Sequence, residues 1–92
     1  MKNFIIDLEY KAPIEEIEKH LDPHMDYIHV GRDKGYFISW GPKVPRSGGL
    51  IIARAETREE IEAFAATDPF IVEGVSNMVI TEFVARREIK HG

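Results

Sequence analysis

The run Gly49-Leu-Ile-Ile-Ala-Arg-Ala55 is apolar at successive positions, with Leu50, Ile51 and Ile52 in a row. Strand side chains point alternately to opposite faces, so such a run predicts a strand that is covered on both sides. A chain of 92 residues is too short to divide its apolar side chains between two cores. It buries roughly 60–65% of the surface its unfolded form exposes, which makes an added source of burial valuable. The central question of the fold is therefore what lies on each face of this strand.

The flanking pattern supplies the neighbours. Residues 2–10 alternate, with Phe4, Ile6, Leu8 and Tyr10 on one face and Asp7 and Glu9 on the other. Pro13 suits a helix start, followed by Ile14, Ile17 and Leu21 at helical spacing with Glu15, Glu16 and Glu18 near the positive end. That helix is expected to stop at Leu21, with Asp22 as N-cap and Pro23 as first residue of the next helix. Met25, Ile28 and Val30 carry its apolar contacts up to a closing Lys34-Gly35. Tyr36–Val44 reads as a second strand interrupted by Gly41-Pro42, and residues 43–48 as a loop. Thr57-Arg-Glu-Glu60 is a capping box opening a helix with Ile61, Phe64 and Ala65 inward. Residues 75–85 form a last strand, with Val75, Val79 and Phe83 sharing a face.

The order β-α-α-β-β-α-β reduces to the α+β ferredoxin-like pattern, a four-stranded antiparallel sheet with helices on one face and the first crossover split in two. Residues 1–85 make the single domain, and residues 86–92 a charged tail. The bare face, with Ile5 and part of the second strand, has no segment left to cover it except a second copy. A homodimer is the expected assembly.

Composition narrows the function. With a net charge of −4 and its Lys and Arg scattered singly, the chain lacks the basic face that nucleic acid requires. Zero cysteines exclude disulfides, thiolate catalysis and zinc–thiolate or iron–sulfur centres. No apolar run approaches the roughly 20 residues of a membrane span, and no secretory h-region opens the chain, so cytoplasmic residence is expected. No nucleotide-binding glycine motif or nucleophile elbow occurs, so no cofactor is expected.

What remains is acid–base chemistry or simple binding by histidines and carboxylates. His20 and His24 are four apart, the spacing of two metal ligands on one helix face, but Asp22-Pro23 between them predicts a break, and no metal site is expected. His24 in a first helical turn lies near free backbone N–H groups, which favour the neutral imidazole that can act as a base, although a half-buried packing role fits the same position. Asp68, ahead of Pro69, reads first as an N-cap, and its second oxygen can still serve another donor. Arg46, in the loop between the middle strands, can meet an anionic group or simply be solvated, while Trp40 and Phe70 can wall a pocket or fill a core. His29 reads as a surface residue and His91 lies in the tail.

Several of these residues recur together. The strand Phe4-Ile-Ile-Asp-Leu-Glu-Tyr10, Pro23-His24, Gly35 with Phe37, Gly41-Pro42, Pro45-Arg46 with Gly48-Gly49, the Glu59-Glu60 helix and Asp68-Pro69-Phe70 resemble, in order and spacing, the YciI-like (YCII-related) family. The resemblance covers residues 2–84 and implies a ferredoxin-like fold of the dimeric α+β barrel type. It also implies an active site in which a histidine and an aspartate pair, here His24 and Asp68. The departure is Trp40 where family members commonly carry a serine before Gly-Pro, with Ser39 one position earlier and so on the opposite strand face.

Two functions follow from this reading. One is a small cofactor-independent enzyme in which His24 moves a proton on a small aromatic or cyclic metabolite while Asp68 orients it, with Arg46, Ser39, Trp40 and Phe70 as candidate substrate contacts. The other is a module that binds a small molecule in the same pocket without chemistry.

Overall fold

The computed structural model describes residues 1–86; the expected tail therefore falls, apart from Arg86, outside the described residues. The elements are β1 (Lys2–Tyr10), α1 (Ile14–Lys19), α2 (Leu21–Asp33), β2 (Phe37–Pro42), β3 (Gly48–Ala55), α3 (Arg58–Ala65), α4 (Pro69–Val72) and β4 (Ser76–Phe83). The strands pair antiparallel in the order β2-β3-β1-β4, the ferredoxin-like arrangement. No helix among the described residues is long and apolar enough to cross a membrane.

Phe4, Ile6 and Leu8 of β1 and Ile51, Ala53 and Ala55 of β3 form the floor of the core, against Tyr27 and Ile28 of α2 and Ile61 and Ala65 of α3. Thr57 caps α3 by accepting from the Glu60 N–H, as the capping box predicts. The Glu60 carboxylate reaches one residue further back than that motif prescribes. It takes the Glu56 N–H and also accepts from the Tyr36 hydroxyl. The end of α2 is a Schellman motif. Gly35 adopts φ +84°, its N–H reaches the Arg32 carbonyl, and the Tyr36 N–H reaches the Gly31 carbonyl.

Several boundaries differ from expectation. The second helix begins at Leu21 with His20 as N-cap, so Pro23 occupies its third position rather than its first. The N–H groups of a first helical turn have no carbonyl to reach, so proline costs little there. His24 consequently does not sit among free N–H groups, since its own N–H donates to the His20 carbonyl. Val30 is exposed, and the inward stripe of α2 is His24, Tyr27, Ile28 and Gly31. Strand β2 is shorter than Tyr36–Val44 at both ends.

In β4 Val79 and Phe83 share a face, as expected, and it is the one turned away from the helices. Ser76, Met78 and Ile80 turn toward the helices, while Val79 is 62% exposed on the other side. Val75 is buried, but in the turn before the strand, where its N–H is held by the Phe70 carbonyl. Val75 therefore does not belong to that strand face and packs instead with Ile17 and Phe70. The double-sided burial expected of β3 is half met within the chain: Ile51 and Ala53 are buried, whereas Leu50 and Ile52 lie on the uncovered side.

Gly48 permits the close approach of β3 to β1, because a Cβ there would collide with the Leu8 carbonyl. Gly41, on β2, would meet nothing within 4 Å. Gly48→Ala is therefore expected to destabilise the fold by about 2–3 kcal/mol, and Gly41→Ala by less than about 0.5 kcal/mol. Urea denaturation of the two variants checks this contrast.

Candidate active site

The first turn of α2 and the turn before α4 are 44 residues apart, yet they meet. His24 Nδ1 lies 2.8 Å from Asp68 Oδ1, and both side chains are buried, Asp68 completely and His24 to 9% exposure. The same Oδ1 accepts the Phe70 N–H at 2.9 Å, so Asp68 is the N-cap of α4 as well as the partner of His24. Pro69 follows as the first residue of α4, the position where its missing N–H is harmless. An ionised Asp68 requires a proton on Nδ1 of a neutral His24, which leaves the lone pair on Nε2.

Phe70 completes the arrangement. Its ring is stacked on the imidazole with centroids 3.9 Å apart and planes within 5°. Tyr10 then meets Phe70 edge-on at 6.0 Å. A four-residue helix thus supplies the capping carboxylate just before it and, one residue inside it, the ring that fixes the imidazole plane.

These rings border a cavity of about 580 Å³, within the range of small-molecule sites. Leu8 and Ile51 of the sheet, Met25 and Ile28 of α2, and Trp40 also line it, with His24, Tyr10, Phe70 and Arg46 as the polar and aromatic contributors. Arg46 stands at 6.0 Å from the Tyr10 ring and donates from Nη1 to Glu18 Oε1 at 3.1 Å. The Tyr10 oxygen and the Glu18 carboxylate hold the Arg46 pKa above the ordinary arginine value.

The fold brings together five of the six candidate residues, His24, Asp68, Arg46, Trp40 and Phe70, of which Asp68 stands behind His24 rather than in the cavity wall. Ser39 is the exception. It pairs with Ile52 while Trp40 pairs with Ile51, which puts Ser39 on the open side of the sheet and Trp40 in the cavity wall. A substrate contact for Ser39 is thereby corrected. His29 is exposed, as its position predicts. Among the described residues, no three His, Asp or Glu side chains converge as a metal site would require.

Three further residues were not signalled by any motif. Tyr10 reads in sequence only as the end of an apolar strand face. Glu18 reads only as a solvated helix charge. Tyr27, three residues after His24, is buried beside it with ring centroids 6.0 Å apart. Burial, and secondarily the Asp68 charge, push the Tyr27 pKa far up, so it remains a neutral phenol.

Residues 1–84 match the YCII-related domain. This chain belongs to the YCII-related family. No curated protein matches it in sequence at a significant level. Among solved structures, this YCII-related chain is similar to 5-chloro-2-hydroxyhydroquinone dehydrochlorinase (TftG) from Burkholderia phenoliruptrix, in complex with 2,5-dihydroxybenzoquinone. The TM-score is 0.72 at 20% identity, covering 98% of this chain and 95% of that one. At that identity the likeness shows a shared fold.

The double duty of Asp68 separates two variants. Asp68→Ala strips the cap from α4 and leaves buried His24 Nδ1 and Phe70 N–H donors unpaired, and is expected to cost about 2–4 kcal/mol. Asp68→Asn keeps an acceptor oxygen for both donors and is expected to cost about 1 kcal/mol. Chemical denaturation of the pair distinguishes loss of the acceptor from loss of the charge.

Proposed function

We propose that this chain is a small cofactor-independent enzyme that carries out proton-transfer chemistry, isomerisation or elimination, on a small aromatic or cyclic metabolite. The observation that carries the reading is the 2.8 Å His24–Asp68 hydrogen bond set at the wall of a ring-lined cavity. Neutral His24 would accept a substrate proton on Nε2, and Asp68 would stabilise the imidazolium so formed. In an isomerisation the proton returns to a different atom of the same molecule. In an elimination the electron pair left behind expels a leaving group, and the proton departs with it or to water. The walls suit a flat substrate: the stacked Phe70–His24 pair, Tyr10 and Trp40 offer faces and edges to a ring. That a dehydrochlorinase of a ring compound shares the fold supports elimination as one form of the reaction.

A rival reading has its own support. Asp68 Oδ1 is fully engaged as a helix cap, so the pair could exist to hold α2 against α4 around a pocket that only binds. A metabolite panel decides between them. His24→Ala is expected to lower turnover at least about 100-fold while ligand binding changes only a few-fold. Turnover undiminished in both His24→Ala and Asp68→Asn sinks the acid–base mechanism. Ligands that bind the unaltered protein and are never converted favour the binding module.

The same proposal includes a homodimer. The uncovered side of the sheet carries Ile38, 51% exposed, Leu50 and Ile52, Ile5 and Val79 across all four strands. Apolar residues spread over a whole sheet face are better explained by a partner than by solvent, and a second copy offers the matching surface. Light scattering is expected to give twice the chain mass, and Ile38→Lys with Val79→Lys half of that. A wild-type monomer at high concentration refutes the assembly.

A further inference from the structure

Among the described residues, the cavity wall contains one permanently charged side chain, Arg46. The other cation of the same loop, Lys43, is bound to Asp7 at 2.7 Å and does not line the cavity. In a chain of net charge −4, a site that selected neutral ligands would have no need to hold a cation at its wall. Arg46 is also connected to the imidazole through a row of rings. Its guanidinium stands over Tyr10, Tyr10 meets Phe70 edge-on, and Phe70 stacks on His24. A planar ligand lying along that row would run from His24 at one end to the guanidinium at the other.

Arg46 already has an anion. Glu18 Oε1 accepts from Nη1 at 3.1 Å, with both side chains about half exposed. Glu18 itself is not part of the cavity wall. A guanidinium has five N–H donors in a fork that matches a two-oxygen anion, and Glu18 engages only one of them. An exposed pair of this kind favours contact by no more than a factor of about two to five, so it is easily exchanged for an anion that also buries a ring.

Resting on the ring-binding reading above, we infer that the site takes a single planar ring bearing one ionised oxygen substituent, which Arg46 holds by displacing Glu18. Arg46 is then the residue that determines specificity, and Glu18 is an internal competitor that keeps the guanidinium oriented and neutralised when no ligand is bound. The oxyanion can be a carboxylate or a phenolate, since both present the same charge to the fork.

Benzoate, its neutral isostere benzamide, and 4-nitrophenol above and below its ionisation serve as probes, followed by NMR titration of the intact protein. Benzoate, ionised 4-nitrophenol or both are expected to bind about tenfold more tightly than the neutral counterpart, and the tighter of the two names the oxyanion. Arg46→Gln is expected to erase the preference. Glu18→Gln is expected to tighten the preferred anion about two- to fivefold and leave benzamide unchanged. Equal binding of charged and neutral partners overturns the anion assignment alone, as does a Glu18→Gln variant indifferent to both. Failure of every ring compound to bind overturns the ring-binding reading and this inference with it.

Discussion

One carboxylate oxygen organises the functional half of this domain. Asp68 Oδ1 accepts from the backbone at the start of α4 and from the imidazole of α2, so the position of each helix depends on the other. The two contacts reinforce each other geometrically, because the N–H that Asp68 holds belongs to Phe70, whose ring lies flat on His24. Capping alone would be satisfied by an exposed aspartate. Here the carboxylate is fully buried, and its second oxygen has no partner among the described residues. Both partners of a buried hydrogen bond can often be replaced by apolar side chains of similar shape with little loss of stability, so the His24 contact is not explained by stability alone. The Asp68-Pro69-Phe70 step is intelligible as a single unit that sets a cap, a helix start and a stacking surface.

The sheet divides the remaining work. Its helix face supplies the cavity floor through Leu8 and Ile51, and its bare face exposes Leu50, Val79 and Ile38. The β2–β3 loop straddles this division. Lys43 is tied to Asp7 on the bare side, whereas Arg46 reaches the cavity wall. The short connection is thereby anchored at one end and presents its guanidinium at the other.

The sequence revealed the fold wherever a local rule was strong. The alternation of β1, the Thr57 capping box and the Gly35 helix terminus appear in the structure with small adjustments. It misplaced the start of α2 because Asp22-Pro23 satisfies the chemistry of an N-cap and first residue, and a third-position proline satisfies the same constraint equally well. It assigned Val75 to the face of Val79 and Phe83, although Val75 is apolar for a reason that belongs to the preceding turn. The site was legible in pieces. His24 and Asp68 each have a local role that periodicity can explain, and only the resemblance to relatives joined them. Tyr10, Tyr27 and Glu18 stayed hidden because their significance lies in contacts between distant elements, which leave no spacing to read.

The neighbours Ser39 and Trp40 have a consequence for how such a protein can change over generations. Adjacent codons of one strand address two unrelated surfaces, one bordering the cavity and one facing away from it. Exchanging Trp40 for a smaller side chain can admit a new ligand without disturbing the opposite surface, and Ser39 can be altered with equal independence. Losing or gaining a single codon in the same strand would interchange the two surfaces at once unless a bulge absorbed it, as the irregularity between Phe37 and Ser39 does in this strand. The lineage is thus freer to explore by substitution than by insertion, and diversity of ligands among relatives should be written chiefly in the identities of alternate strand residues.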